Sequence, residues 1–103
     1  MNSKKIYSLL GMSAKAGKLK SGEFSVMEAI RSGKACAVII SEDASDNTKK
    51  QFKDKCSYYN VPIAFFGDME SLGHAVGKGV RTSLVITDNG LAQSLLKNLL
   101  LED

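Results

Sequence analysis

Three short runs dominated by consecutive apolar, β-branched residues constrain the fold of this chain most strongly. They are Cys36–Ser41 (CAVIIS), Val61–Phe66 (VPIAFF) and Ser83–Thr87 (SLVIT). Runs that lack apolar–polar alternation predict strands buried on both faces. Segments with helical spacing precede, separate and follow them. The pattern therefore predicts a mainly parallel sheet with helices on both sides, a three-layer α/β/α sandwich.

Helical periodicity and capping residues predict five helices and one further strand. The helices are expected from about Lys4 to Ala16, from Ser21-Gly22 to Gly33, from Asp46 or Asn47 to Asn60, after Asp68, and from about Asn89, with a very short strand at Lys18–Lys20. Ser21 is the expected N-cap of the second helix, and Ser25 with Glu28 also fits a capping box, so its start stays open by one turn. One face of the third helix is expected to carry Thr48, Phe52, Cys56 and Tyr59, and the last helix Leu91, Leu95, Leu96, Leu99 and Leu100.

Length and composition are those of an ordinary globular domain. The chain has 103 residues, of which 44% are hydrophobic and 24% charged, so we expect one domain over residues 1–103. No apolar run approaches the length of a membrane-spanning helix, and the first residues lack the features of a signal peptide. The expected location is the cytoplasm, without membrane association.

Residues that could carry catalysis or bind a metal are sparse. The segment from Gly11 to Lys18 approaches a phosphate loop, but five residues separate its glycines where four are needed. The single histidine, His74, has no orienting partner nearby in sequence, and we expect a structural residue. The carboxylates lack metal-loop spacing. The sequence thus predicts no catalytic residues, no metal site, no cofactor and no enzyme activity.

Other reactive side chains have structural interpretations. Cys36 and Cys56 have neither a metal-ligand nor a redox spacing, so both are expected to be small buried residues. Asp43, Asp46 and Asp88 follow predicted strands, where ligands often bind in α/β sheets. Carboxylates at these places also suit helix caps and turns, which is the interpretation we favour.

The charge of the chain is unevenly distributed. Residues 1–34 carry seven Lys or Arg against two acidic residues, whereas residues 35–103 carry seven against nine. The amino-terminal third therefore has a strong net positive charge, whereas the charges of the remaining residues nearly cancel. Such asymmetry indicates a polyanionic partner, although a solvated lysine-rich surface is equally consistent with charge alone.

The predicted start of the second helix concentrates features that suit a phosphate. Lys18 and Lys20 immediately precede it. The backbone amides of Gly22, Glu23 and Phe24 are expected to point outward, where the helix dipole favours an anion. Gly22 also lets another backbone approach closely.

Neighbouring residues extend this positive edge. Arg31 and Lys34 follow on the second helix and after it, and the loop Lys78-Gly79-Val80-Arg81 adds two cations with Val80 as an apolar wedge. The alternative for the loop is a solvated turn. Phe24 is suited to stack on an exposed base, but packing against the first helix is the slightly favoured alternative.

Several longer segments resemble one known family. They are GKLKSGEFSVMEAIRSGKACAVIISEDAS, DKCSYYNVPI, ESLGHAVGK and SLVITDNG, which together span nearly the whole chain. They resemble the kink-turn RNA-binding ribosomal-protein family of archaea and eukaryotes (the L-seven-Ae type), and are most similar to its bacterial YlxQ branch. The resemblance implies an α/β/α sandwich with a four-stranded mixed sheet. It also implies binding of ribosomal or other structured RNA, with protein partners in a ribonucleoprotein, a role in translation, and kink-turns as the target.

The resemblance also implies where RNA binds. Family members begin the second helix with Asn-Glu-x-x-Lys after a glycine, and here Phe24, Ser25 and Glu28 occupy the Asn, Glu and Lys places. Their second contact, an apolar loop, corresponds to the more basic Lys78–Arg81. The predicted RNA-binding residues are Lys18, Lys20, Ser21, Gly22, Glu23, Phe24, Ser25, Glu28, Arg31, Lys34, Lys78, Gly79, Val80 and Arg81. Because a carboxylate at residue 28 repels phosphate, the alternative is a protein-interaction module of the same fold that has lost specific RNA recognition.

Overall fold

The computed structural model describes residues 3–100, and within them helices and strands occur in the predicted order. The elements are α1 (Ser3–Lys15), β1 (Leu19–Ser21), α2 (Glu23–Arg31), β2 (Ala37–Ile40), α3 (Asp46–Tyr59), β3 (Ile63–Phe65), α4 (Met69–Ala75), β4 (Ser83–Ile86) and α5 (Asn89–Leu100). Each predicted apolar run forms a strand, although the strands are shorter than the runs.

The strands form a four-stranded mixed sheet in the order β1-β4-β2-β3. Only β2 and β3 pair in parallel, with Val38 opposite Ile63, while β4 runs antiparallel to both β1 and β2. The expectation of a mainly parallel sheet is therefore wrong, and the mixed sheet implied by the family resemblance is confirmed. All four residues of β2 and of β4 are buried, because helices cover both faces. A continuous apolar run therefore indicates that both faces of a strand are covered, but it does not indicate the direction of the strand.

Two hydrophobic clusters, one on each face of the sheet, confirm the three-layer sandwich. Helices α1, α4 and α5 pack on one face, where Leu10, Leu72 and Leu95 surround strand residues such as Leu84. Helices α2 and α3 pack on the other face, where Val26, Ile30, Phe52 and Cys56 meet Val38 and Val85. Tyr59 and Leu100 depart from the predicted helix faces, because both are exposed, Leu100 to 87%.

The helix ends are set by capping groups, one of which differs from expectation. Helix α3 is capped by Ser45, whose Oγ accepts a hydrogen bond from Thr48 N at 3.1 Å, so the predicted cap at Asp46 or Asn47 is wrong by one or two residues. Asn60 ends that helix, as predicted, and it does so in the left-handed conformation. Asp68 caps α4, and its hydrogen bonds from Ser71 lower the pKa of its carboxyl.

Two of the three aspartates predicted to act as caps do so, whereas Asp46 is the first residue of α3 and not its cap. Asp43 Oδ1 accepts a hydrogen bond from Met69 N at 3.0 Å and so ties the loop after β2 to the start of α4. Asp88 Oδ2 accepts from Leu91 N at 2.9 Å at the start of α5. Both carboxylates thus satisfy otherwise unpaired amides in the first turn of a helix.

Candidate nucleic-acid interface

The turn from β1 into α2 is built around Gly22. This residue adopts φ 98° and ψ 148°, a conformation that residues with a side chain rarely adopt. Its backbone N–H donates a hydrogen bond to Ser83 O at 3.0 Å. The prediction of a free Gly22 amide is therefore wrong, because the pairing of β1 with β4 uses it. Ser21 is not the N-cap, and Ser25 lies inside the helix. Helix α2 consequently begins without a side-chain cap, and its positive end is left to solvent or to a ligand.

The loop formed by residues 77–81 is held against α4. Lys78 N–H donates to Gly73 O at 2.8 Å, and Arg81 N–H donates to Met69 O at 3.0 Å. A Cβ at Gly73 would overlap the carbonyl oxygen of Gly79, so the loop approaches the helix more closely than any side chain allows. The loop therefore has a defined path rather than that of a freely solvated turn.

Arg81 joins this loop to β1. Its Nε donates to Ser21 Oγ at 3.0 Å, and its Nη1 donates to Val80 O at 2.9 Å. The two segments predicted to contact RNA, which lie sixty positions apart in sequence, are thereby brought side by side. Two of the N–H groups of the Arg81 guanidinium therefore bind atoms of the protein. Arg81 positions the loop in this way, and its remaining donors and its charge stay available to a ligand.

Four cations converge on one open groove between these segments. This basic groove, of about 490 Å³, is lined by Lys15, Lys20, Lys78 and Arg81, with Ser21 and Ser25 among its polar side chains and no carboxylate in its lining. Sequence analysis missed Lys15. It lies in the last turn of α1, and its place in the positive amino-terminal segment was the only available signal.

A second, smaller groove runs along the exposed side of α2. This α2 groove, of about 210 Å³, is lined by Lys20, Phe24, Ser25, Glu28 and Lys34, together with the small residues Ala29 and Ser32. Lys20 and Ser25 line both grooves, which are therefore adjacent. Five of the predicted site residues thus share one surface, and one of them is a carboxylate.

The exposed apolar residues of this face favour the ligand-contact interpretation. Phe24 is 75% exposed, so the expectation that it packs against α1 is wrong. Val80 at the tip of the loop is 55% exposed. Solvent-exposed apolar side chains next to Lys or Arg side chains are typical of surfaces that bind nucleic-acid bases.

The remaining predicted site residues lie around the grooves rather than in them. Glu23 is exposed at the first position of α2, and Gly79 is exposed in the loop. Lys18, just before β1, and Arg31, at the end of α2, are exposed and line neither groove. They add positive potential without forming part of a defined concave site.

Other reactive side chains line neither the basic groove nor the α2 groove. His74 is exposed on α4, where it borders a wide groove between α1 and α4. Cys56 is buried, and burial raises the pKa of its thiol to about 11, whereas Cys36 is only partly buried, contrary to expectation. Among residues 3–100, no three His, Cys, Asp or Glu side chains are grouped so that they could hold a metal ion. None of the helices in this part of the chain is long and apolar enough to cross a bilayer.

A mixed sheet between two helical layers, with a basic groove where β1 turns into α2, defines a small α/β/α protein with a cationic face. Residues 4–96 match the model of the Ribosomal protein L7Ae/L30e/S12e/Gadd45 family, and the chain belongs to that family. The resemblance drawn from the sequence, including that to the YlxQ branch, is confirmed by the relatives described next.

Two curated relatives are similar over most of their length. The chain is 41% identical over 90 residues to the RNA-binding protein YlxQ of Bacillus subtilis (strain 168), which covers 87% of this chain and 90% of the relative. It is also 41% identical over 92 residues to the RNA-binding protein YlxQ of Enterococcus faecium, which covers 89% and 88%.

Solved structures share the fold. A protein of unknown function from Bacillus halodurans C superimposes with a TM-score of 0.89 at 38% identity, covering 92% of this chain and 96% of that one. The 15.5 kD RNA binding protein of Giardia lamblia gives a TM-score of 0.79 at 24% identity, covering 94% and 83%. The second likeness supports the fold alone.

Proposed function

We propose that this chain is a non-catalytic RNA-binding protein that contacts the phosphate backbone through the start of α2 and the basic groove. The observation that carries this proposal is the joint placement of an uncapped helix start and four cations along one open surface. Two relatives, both named as RNA-binding proteins, support it. We further propose that residues 1–103 act as one domain and work in the cytoplasm.

The lysines of the basic groove are available to neutralise phosphates. Among residues 3–100 the structure contains one ion pair, between Lys50 and Asp54 on α3, far along the chain from the groove. Lys15, Lys20 and Lys78 are exposed and form no ion pair with the described residues. Displacing counterions from RNA with these side chains supplies affinity that does not depend on base sequence and that falls as salt rises.

We propose structured RNA, ribosomal or other, as the ligand, and a kink-turn as the specific target. The Arg81–Ser21 hydrogen bond holds the loop beside the end of β1, next to the start of α2, and in this proposal the two segments contact the RNA backbone on either side of a sharp bend. The changed residues at positions 24, 25 and 28 require contacts to the bases that differ from those of the family motif.

Affinity for a kink-turn RNA and for a matched duplex without the G·A pairs, measured across a salt series, tests the function. We expect tighter binding to the kink-turn and a log–log salt slope of about −0.9 per phosphate contacted on duplex RNA. Equal, salt-sensitive binding to both would retain an RNA-binding protein and remove kink-turn specificity. No binding to either at low salt would favour the protein-interaction module instead.

A further inference from the structure

The α2 groove contains a combination that phosphate binding alone leaves unexplained. The ring of Phe24 is exposed to solvent, and Phe24 and Glu28 both line the α2 groove. Four positions separate them on one helix, so their side chains are neighbours on its surface. The Glu28 carboxylate makes no hydrogen bond or ion pair with any of residues 3–100, so its acceptor oxygens remain available.

We propose that the α2 groove receives one unpaired nucleotide, whose base stacks on Phe24 and donates hydrogen bonds to the Glu28 carboxylate. The inference rests on the proposed RNA-binding function and deepens it, because it specifies the chemistry of the bound base. An exposed aromatic ring is a stacking surface for an extruded base. Lys20 and Lys34, on the same groove, lie where the phosphates that flank such a nucleotide require cations.

The carboxylate selects among bases because it only accepts hydrogen bonds. Its two oxygens match two adjacent donors, and the Watson–Crick edge of guanine offers an imino N–H beside an amino group. Adenine and cytosine offer an amino group next to a ring acceptor, which a carboxylate repels. Uracil offers one imino N–H between two acceptors. Glu28 should therefore favour guanine, and its negative charge is tolerated because two lysines share the groove.

The test uses RNA hairpins with a single unpaired nucleotide in the stem, which is guanine, adenine, cytosine, uracil or an abasic site. The full chain is titrated with each RNA at one fixed salt concentration. We expect the guanine hairpin to bind at least about tenfold more tightly than the uracil hairpin, the size of a bidentate base contact. Phe24→Ala should weaken binding to every hairpin that carries a base by about tenfold and leave the abasic hairpin unchanged.

A matched pair of variants isolates the carboxylate. Glu28→Gln and Glu42→Gln each remove one negative charge from an exposed side chain, but Glu42 lies in the loop after β2 and lines neither the α2 groove nor the basic groove. We expect the guanine preference to disappear in Glu28→Gln and to persist in Glu42→Gln, with unfolding midpoints of both equal to that of the parent.

The outcomes separate this inference from the function on which it rests. Salt-sensitive binding with no preference among the five hairpins, or a guanine preference that survives Glu28→Gln, would overturn the base-binding groove and leave RNA binding intact. Absence of binding to all five at low salt would overturn both.

Discussion

Arg81 donates a hydrogen bond from Nε to Ser21 Oγ at 3.0 Å and thereby ties the loop before β4 to the strand before α2. Residues of both segments line the basic groove. Because Ser21 pairs with Leu84 in the sheet, the anchor of the loop is itself fixed. The shape of the groove thus depends on a contact between side chains and not only on the backbone.

Removing the hydroxyl of Ser21 should loosen the groove without changing its charge. We expect Ser21→Ala to lower the free energy of unfolding by about 0.5–1.5 kcal/mol, the net value of such a hydrogen bond. RNA affinity should fall several-fold while the salt slope stays constant, because every cation remains. Urea unfolding and RNA titration measure the two effects. The control is Ser57→Ala, an exposed serine on α3. An unchanged affinity in Ser21→Ala would mean that the Arg81–Ser21 contact does not shape the site.

Gly73 and Gly79 form a close contact in which only one partner is sensitive to substitution. A Cβ at Gly73 would overlap Gly79 O, whereas a Cβ at Gly79 meets nothing within 4 Å. We expect Gly73→Ala to destabilise the fold by about 1–3 kcal/mol through overpacking and to displace the loop. Gly79→Ala should be nearly neutral. Chemical denaturation of both variants checks the asymmetry, and similar losses in the two would contradict the observed path of the loop.

Each cation of the basic groove that contacts a phosphate should contribute to the salt dependence of RNA affinity. Lys15→Ala, Lys20→Ala and Lys78→Ala are each expected to reduce the magnitude of the log–log salt slope by about 0.9 on duplex-like RNA. Lys53→Ala, on the exposed face of α3, should leave the slope as it is. A reduction in the control equal to that in the groove variants would show that charge acts without regard to position.

Cys56 should make stability depend on alkaline pH. Burial raises the pKa of its thiol from 9.0 to about 11. Below pH 9 the thiol keeps its proton in both the folded and the unfolded chain. Between pH 9 and 11 the unfolded chain releases it while the folded chain retains it, so stability should fall as the pH rises.

Denaturation of the parent and of Cys56→Ala across this interval measures the effect. The variant should lose less stability between pH 9 and 11, although it begins lower because a buried side chain has been shortened. Parallel losses in the parent and in Cys56→Ala would refute the assignment.

The order of elements and the capping of α4 could be predicted because they depend on local signals. Apolar runs mark β2 and β4, Asp68 caps α4, and Asn60 ends α3 in a left-handed conformation. The direction of the strands could not be predicted from the residues, because burial on both faces makes β2 and β4 look alike whether they run parallel or antiparallel. The mixed sheet came only from the family resemblance.

The candidate site was partly accessible from sequence. The helical period alone places Phe24 outside the face defined by Val26, Met27 and Ile30, so its exposure could have been predicted with a stricter use of that period. The contribution of Lys15 could not, because it depends on how the end of α1 packs beside β1. The Arg81–Ser21 contact joins residues sixty positions apart and follows from tertiary structure alone.

Backbone amide NMR of the full chain, titrated with a kink-turn RNA, tests the location of the RNA surface most directly. We expect the largest shifts at residues 18–25 and 78–81, with additional shifts at Lys15 and Glu28. Residues 49–57 of α3, which carry four lysines, should stay unshifted. Shifts concentrated on α3, with residues 18–25 unchanged, would contradict an RNA site built from the start of α2 and the basic groove.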